Sequence, residues 1–193
     1  MGDTWARNQG KREMRINRED CAAVVVDIQE RLFRVMQGKD DLLKKCLVLL
    51  EGLKVLEVPI LVTEQYPRGL GPTIEPLKQV LESSTAIEKI AFSCCDEPEF
   101  ISSLEHLTRK NVIICGIEAH VCVQQTVIDL TGSGYLPVVV SDCISSRNPL
   151  DKKVALDRMA SEGAIISTCE SILFELVRVA GSEEFKTISR LVK

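Results

Sequence analysis

The sequence of 193 residues has no hydrophobic run long enough to cross a membrane, so we expect no membrane-spanning segment. It also has no excess of positive charge. With 24 lysines and arginines against 28 aspartates and glutamates, the net charge is −4, which does not favour binding to nucleic acid or to an anionic membrane surface. No G-x-G-x-x-G follows the first apolar run and no Walker A loop is present, which disfavours a nucleotide-binding Rossmann enzyme. Small molecules and protein partners remain as expected ligands.

The eight cysteines do not have the pattern of a disulfide scaffold. Most lie inside apolar runs, no secretory hydrophobic segment precedes them, and the adjacent pair Cys94 and Cys95 lacks the C-x-x-C spacing of redox motifs. We therefore expect reduced thiols and a cytoplasmic protein. Residues 1–15 mix both charge signs without a long apolar run, so we expect a flexible N-terminal arm followed by a single domain over residues 16–193.

Short apolar runs alternate along the chain with segments whose apolar residues recur every three or four positions. The short runs have the continuous hydrophobicity of strands buried on both faces, and the longer segments have the period of amphipathic helices. This alternation predicts an α/β fold with a parallel sheet, right-handed crossovers and helices on both faces. The predicted strands are 21–27, 59–64, 85–88, 111–117, 136–141 and 164–167, and the predicted helices are 41–57, 74–81, 151–162, 171–179 and 183–192, with others starting near 96 and 122.

Three reactive side chains fall at the carboxyl ends of three separate predicted strands. Asp27 ends the first strand, Lys89 follows the third, and Cys122 lies at the strand-to-helix turn after the fourth. Ligands of parallel α/β sheets bind at this edge, and a helix N-terminus favours a thiolate and the oxyanion of a tetrahedral adduct. The sequence therefore favours a site in which Asp27 accepts a proton and Lys89 supplies a positive charge. The alternative is a buried ion pair beside a cysteine that only packs in the core.

The two histidines are weaker candidates for a catalytic base. His120 lies two positions before Cys122, and side chains at that spacing near a helix start point in different directions. We interpret His120 as a turn residue at the rim of a pocket. His106 falls late in a predicted surface helix and suggests no role in the site.

Several short motifs occur in an order that resembles one known family. They are DIQ at 27–29, VTEQYPRGLGPT at 62–73, the lysine at 89, GIEAHVCVQQT at 116–126, SSR at 145–147 and LDRMASEGA at 156–164. Together they resemble the isochorismatase-like cysteine hydrolase superfamily, and most closely its isochorismatase domain-containing subgroup, over about residues 16–193. The blocks in this order are a specific signal, whereas any one alone would be weak.

The resemblance implies a three-layer sandwich whose six-stranded parallel sheet has the strand order 3-2-1-4-5-6. It also implies a triad in which Asp27 deprotonates Cys122 while Lys89 stabilises charge. The family further implies a cis peptide between Ile117 and Glu118, which would turn the Glu118 N–H toward that of Cys122 to form an oxyanion hole. Related members usually assemble as homo-oligomers, so we expect a homo-oligomer here.

Two departures from related enzymes narrow the expected chemistry. Nicotinamidases of this superfamily bind a metal through an aspartate and paired histidines, but the loop EQYPRGLG after the second strand has no histidine, so we expect no metal and no cofactor. Isochorismatases that cleave a vinyl ether do not need a cysteine, whereas this chain has Cys122. The expected activity is hydrolysis of a small amide, imide or ester through a thioester. The alternative is a catalytically idle scaffold for protein partners.

Six further residues are candidates for lining the pocket, and the aromatic ones among them are chosen only for their positions in the sequence. They are Gln29, Phe33, Tyr66, Phe92, Glu118 and His120. Taken singly, each of these residue types is more often a packing or loop residue than a substrate contact. We therefore expect them to bind substrate only if the fold brings them together with the triad.

Overall fold

The computed structural model describes residues 15–81 and 84–193. At its centre is a six-stranded parallel sheet with the strand order β3-β2-β1-β4-β5-β6. The strands are β1 (Cys21–Val26), β2 (Ile60–Gln65), β3 (Ile87–Lys89), β4 (Asn111–Ile117), β5 (Leu136–Ser145) and β6 (Ile165–Ser167). The predicted α/β fold and the predicted strand order are confirmed.

Helices connect the strands in the described part of the chain. They are α1 (Glu30–Phe33), α2 (Lys39–Val55), α3 (Pro67–Leu70), α4 (Glu75–Val80), α5 (Pro98–Leu107), α6 (Gln124–Gly132), α7 (Pro149–Ser161), α8 (Cys169–Val177) and α9 (Glu183–Leu191). A π-helical turn, Ala119–Val123, directly precedes α6 and carries the cysteine of the predicted site. The single turns α1 and α3 were not predicted. None of the helices in residues 15–81 and 84–193 is long and apolar enough to cross a membrane.

The sheet separates two hydrophobic cores, and β1 contributes to both because its successive side chains point to opposite faces. Ala23 and Val25 pack in one core with apolar residues of α2, α4 and α8. Ala22, Val24 and Val26 pack in the other core with apolar residues of α5, α6 and α7. All six residues of β1 are buried, which explains the continuous hydrophobic run in the sequence. The result is three layers, with the carboxyl end of β1 in the middle of one edge.

Some boundaries differ from the sequence predictions. β3 ends at Lys89 rather than before it, so the lysine is itself part of the sheet edge. β5 continues past residue 141 to Ser145, because its pairing with β4 resumes at Gly116 and Ile144 after a register shift. The predicted flexible arm falls almost entirely on residues 1–14, which lie outside the described residues.

Candidate active site

A buried ion pair joins the ends of β1 and β3. Asp27 directly follows β1, is fully buried, and has a φ of 52°, a backbone conformation that non-glycine residues adopt at a cost. The Lys89 Nζ donates to the Asp27 Oδ2 at 2.7 Å, and the Thr63 hydroxyl donates to the Asp27 Oδ1 at 2.8 Å. Since both carboxylate oxygens are hydrogen-bonded, the orientation of Asp27 is fixed.

The Lys89 ammonium uses three donors. Besides Asp27, it donates to the carbonyl oxygens of Ala91 at 3.1 Å and Phe92 at 3.0 Å. Burial acts to lower the pKa of Lys89, but the negative charge of Asp27, together with the nearby cysteines, raises it above its usual value. The side chain therefore stays charged, and the loop after β3 helps to hold it in place.

Cys122 faces this ion pair from the π-helical turn before α6. It is 2% exposed, and its Sγ donates to the Gln65 Oε1 at 3.2 Å. Burial raises the pKa of Cys122 well above that of an ordinary cysteine, the negative charge of Asp27 raises it further, and the positive charge of Lys89 opposes both. Cys122 is therefore a neutral thiol at rest, and it shares one cluster with Asp27 and Lys89.

A second buried thiol, Cys94, lies against the same cluster. Its Sγ is 3.7 Å from the Thr63 Oγ1, and its backbone N–H donates to the Thr126 Oγ1 at 2.9 Å. The Thr126 hydroxyl donates in turn to the Cys122 carbonyl oxygen at 2.7 Å. Burial, together with the charge of Asp27, raises the pKa of Cys94 to about 11, so this residue also stays a thiol at neutral pH.

The backbone between β4 and the π-helical turn does not have the cis peptide that the family resemblance implies. No cis peptide occurs in residues 15–81 and 84–193, so the prediction of a cis bond between Ile117 and Glu118 is wrong. Glu118 instead adopts the left-handed conformation, with φ 54° and ψ 54°, and its carbonyl oxygen accepts from the Val121 N–H at 2.8 Å. A residue with a side chain enters this region at a cost of about 1–2 kcal/mol, so the packing around Glu118 must stabilise the turn.

The Glu118 side chain is held by a cation. The Arg147 Nε donates to the Glu118 Oε1 at 2.9 Å, and the Arg147 Nη2 lies 3.4 Å from the Glu118 Oε2. His120 also faces this carboxylate, with its Nε2 3.6 Å from the Glu118 Oε2 and its Nδ1 2.9 Å from the Ser146 Oγ. These contacts turn His120 toward the chain after β5 rather than toward Cys122, which argues against a role as the base.

An open cleft of about 560 Å³ leads to Cys122. Its polar lining comes from Gln65, Glu118 and Arg147, and its aromatic lining from Tyr66 and Phe92. The remaining walls are the aliphatic side chains of Leu32, Val35, Leu70 and Val121. Among residues 15–81 and 84–193, no group of three or more His, Cys, Asp and Glu side chains is placed to hold a metal ion.

Three of the predicted lining residues do not line this cleft. The buried Gln29 side chain donates to the carbonyl oxygens of Gln65 at 3.0 Å and Gly71 at 2.7 Å, and accepts from the Gln65 N–H at 2.9 Å. Phe33 packs against the core on the α2 face, and His120 points toward Ser146. Gln29 therefore does not contact the cleft itself; it holds the backbone of Gln65, whose side chain contacts the Cys122 thiol.

The sequence predictions missed Gln65 and Arg147 as lining residues. Gln65 could have been found, because it ends β2 beside Tyr66 and is in register with Lys89 on β3. Arg147 is part of the SSR motif, but its contact with Glu118 depends on the extension of β5. Tyr66, Phe92 and Glu118 line the cleft as expected.

A family model, related sequences and solved structures all relate this chain to the same family. The family model for an isochorismatase domain matches residues 21–171. The isochorismatase domain-containing protein 1 of Danio rerio is 36% identical over 168 residues, covering 86% of this chain and 59% of its own length, so the chain spans about three fifths of that relative. The structure is similar to that of a MAR1 ribonuclease from Caenorhabditis elegans, with a TM-score of 0.87 and 37% identity over 92% of each chain. It is also similar to YcaC from Pseudomonas aeruginosa, a structure with hexane-2,5-diol and covalent acrylamide, with a TM-score of 0.86 and 25% identity over 91% of this chain and 90% of that one. The chain therefore belongs to the isochorismatase family.

Proposed function

We propose that the protein is a metal-independent cysteine hydrolase that cleaves a small amide, imide or ester through a thioester on Cys122. The observation that carries this proposal is the 2.7 Å Asp27–Lys89 pair, buried beside the Cys122 thiol at the base of an open cleft. A cation and a proton acceptor beside a cysteine are what a nucleophilic thiol needs. Family membership supports a hydrolase and leaves the bond and the substrate to this proposal.

In the first step, the Cys122 Sγ attacks the substrate carbonyl carbon and its proton passes to the Asp27 carboxylate. Because the pKa of Cys122 is raised, the thiolate forms only as the proton leaves, and Lys89 offsets the negative charge that develops. A C–S bond forms, and the carbonyl π electrons move to the oxygen. We assign the backbone N–H of Cys122 to this oxyanion, since it lies in the turn that begins a helix. The Glu118 N–H was expected beside it only through a cis peptide, which the described residues lack, so it is not assigned this role.

In the second step, the tetrahedral adduct collapses and its bond to the leaving group breaks. The leaving nitrogen or oxygen takes the proton from Asp27, and the acyl group stays on the Cys122 sulfur as a thioester. A water molecule then gives a proton to Asp27 and attacks the thioester carbon. Release of the carboxylic acid returns the proton from Asp27 to the sulfur, so the enzyme leaves the cycle unchanged.

The lining of the cleft favours a small substrate with an apolar portion. Aliphatic and aromatic side chains make most of its walls, and the Arg147 charge is already paired with Glu118. The Gln65 amide is a neutral polar group beside the sulfur: its Oε1 accepts a hydrogen bond from the thiol at 3.2 Å, and its Nε2 donates to the Ile90 carbonyl oxygen at 3.3 Å. A neutral carboxamide, imide or ester suits this environment better than a charged substrate, because a charge would lose hydration without gaining a partner.

Two other functions fit the structure less well. The name of the C. elegans neighbour would suggest RNA, but the cleft offers only one guanidinium from the described residues, and a carboxylate already holds it. An idle scaffold for protein partners would not require a buried acid, amine and thiol in one cluster, whose burial carries a desolvation cost. The hydrolase explains all three groups together.

A turnover screen over small amides, imides and esters tests the proposal. We expect at least one compound to be hydrolysed by the wild type and by Cys95→Ala, a control that removes a thiol from outside the cluster, and none by Cys122→Ala. Circular dichroism should show the same fold in all three proteins. Turnover that survives in Cys122→Ala would refute the thioester route, and an absence of turnover across the screen would favour the scaffold.

Three broader properties accompany this proposal. We propose a homo-oligomer, supported by exposed Tyr66, Ile90 and Phe92 near the mouth of the cleft, which a second copy would cover. We also propose a single domain over residues 16–193 and a cytoplasmic location, supported by the free cysteines of the described chain. Gel filtration with light scattering would test the oligomer, and a monomer at micromolar concentration would exclude it.

A further inference from the structure

A second cleft of about 630 Å³ lies apart from the candidate active site and shares no lining residue with it. It opens where the start of α2, the end of β5 and the start of α7 meet. Three lysines and two aspartates line it together with uncharged residues: Lys44, Lys45, Lys152, Asp41 and Asp142. The proposed hydrolase mechanism uses none of these groups.

The lining lysines are poorly neutralised. The Lys44 Nζ is 3.8 Å from the Asp41 Oδ1, and the Lys45 Nζ is 4.0 Å from the Asp142 Oδ2. Both distances are longer than a charge-assisted hydrogen bond, which has its optimum below about 3 Å. The other oxygen of Asp142 accepts the Cys169 N–H at 2.7 Å and is already engaged. The two aspartates therefore leave the ammonium groups available to a ligand.

Lys152 is the cation that lacks a partner. It is partly buried on α7, where its backbone N–H donates to the Asn148 carbonyl oxygen at 3.3 Å, and within the described chain its ammonium makes no hydrogen bond and no ion pair. Burial lowers the pKa of Lys152 because a desolvated ammonium without a counter-charge is costly, and Asp142 offsets this only in part. An anion placed in the cleft would supply the missing counter-charge.

The rest of the cleft is apolar enough to accept more than an inorganic ion. Leu42 and Ile144 are buried apolar residues of its lining, and Pro149 adds a third apolar surface. A ligand with a charged head and an apolar body would match both parts.

We propose that this second cleft binds a small organic anion with an apolar body, whose negative group contacts Lys152 and Lys45. The site is independent of the proposed hydrolase chemistry, because it lies outside the cluster of Asp27, Lys89 and Cys122. A carboxylate or a phosphate ester would present the same negative head to the two ammonium groups.

Calorimetric titration with benzoate tests the proposal, with benzyl alcohol as the uncharged analogue. We expect benzoate to bind the wild type at one site per chain at low salt, and benzyl alcohol to bind more weakly. Lys152→Gln and Lys45→Gln should each weaken benzoate binding by about tenfold, since each removes one charge-assisted contact. Lys153→Gln has the same charge change on the exposed side of α7, and Arg147→Gln removes the cation of the other cleft; both should bind within twofold of the wild type.

Several results would overturn the proposal. These are an absence of benzoate binding to the wild type, equal weakening by Lys153→Gln, loss of binding in Arg147→Gln, or equal binding of benzyl alcohol. Thermal melting of each variant checks the fold, and if Lys152→Gln does not fold, Lys45→Gln alone decides. A failed titration would leave the turnover screen unaffected, so the two proposals can fail separately.

Discussion

Replacing Lys89 by methionine should destabilise the fold far more than an equivalent change at the surface. Lys89→Met keeps a long side chain but leaves the fully buried Asp27 carboxylate without its cation. The chain offers a matched control, because Lys153 forms an ion pair with Asp157 at the same 2.7 Å distance but with side chains 70% and 67% exposed. Distance is equal in the two pairs, and burial differs.

The expected magnitudes follow from that burial. Removing one partner of a buried ion pair costs about 3–5 kcal/mol, because the remaining charge stays desolvated. The carbonyl oxygens of Ala91 and Phe92 lose their donor as well, so the cost should lie within this range rather than below it. An exposed ion pair four residues apart on a helix contributes about 0.3–0.5 kcal/mol, so Lys153→Met should hardly change the free energy of unfolding.

Urea unfolding followed by circular dichroism measures both free energies of unfolding. Lys89→Met combined with Asp27→Asn should be more stable than Lys89→Met alone, because the second change removes the uncompensated charge. A loss below about 1 kcal/mol in Lys89→Met, similar to that in Lys153→Met, would refute the reasoning, since the buried charge would then have found another partner. So would a double variant less stable than the single one.

Three other predictions concern the reactivity of Cys122, two glycine substitutions and the stability of the fold at high pH. Iodoacetamide should alkylate Cys122 slowly at neutral pH and faster as the pH rises beyond 9.0, the ordinary pKa of cysteine, because the pKa of Cys122 is raised. Peptide mass mapping measures the alkylation rate, and a rate that levels off below pH 9.0 would contradict this expectation. Gly116→Ala places a Cβ 2.6 Å from the Val26 carbonyl oxygen and should cost about 1–3 kcal/mol in urea unfolding. Gly132→Ala should not destabilise, because its Cβ would meet no atom within 4 Å apart from its chain neighbours and the backbone of its own helix. The free energy of unfolding should fall as the pH rises above 9.0, because the folded chain keeps protons that the unfolded chain has lost. The expected slope is about 1.4 kcal/mol per pH unit for each buried thiol whose folded pKa is raised. A free energy of unfolding that stays constant from about pH 8 to pH 10 in reducing buffer would contradict this expectation. These thiols include Cys21, with a pKa of about 12, Cys94, with a pKa of about 11, and Cys122, whose pKa is also raised.

The position of the site at one sheet edge could be predicted because it depends on burial alone. A continuous apolar run that ends in a carboxylate marks the carboxyl end of a buried strand, and Asp27 lies at such an end. Parallel strands present these ends on the same edge, so Lys89 on β3 comes near Asp27 although β2 lies between them. The strand order itself came from the family resemblance rather than from the hydrophobic pattern.

The directions of individual side chains could not be predicted in the same way. Gln29 follows Asp27 closely and was expected in the pocket, but its amide turns inward to bond the Gln65 backbone. His120 was expected at the rim of the pocket, but its ring contacts Ser146, which comes from a distant part of the chain. Such choices depend on tertiary hydrogen bonds, which local patterns do not encode.

Backbone geometry at turns and strand ends was the other feature that could not be predicted from the sequence. The family resemblance led to a cis peptide before Glu118, whereas the turn is made by a left-handed Glu118 and a π-helical turn. The fifth strand was predicted to end at Ser141, but its pairing with β4 continues beyond that residue after a register shift. Strand ends with irregular pairing give no signal in hydrophobic periodicity.

Trapping of the acyl group on the sulfur tests the central claim most directly. Rapid acid quenching of the protein with a hydrolysed ester or amide, followed by peptide mass spectrometry, should find the acyl mass on Cys122 in the wild type and none in Asp27→Asn, which lacks the proton acceptor. An adduct on another cysteine such as Cys95, or equal acylation of Cys122 in Asp27→Asn, would contradict a thiol activated by the Asp27–Lys89 pair.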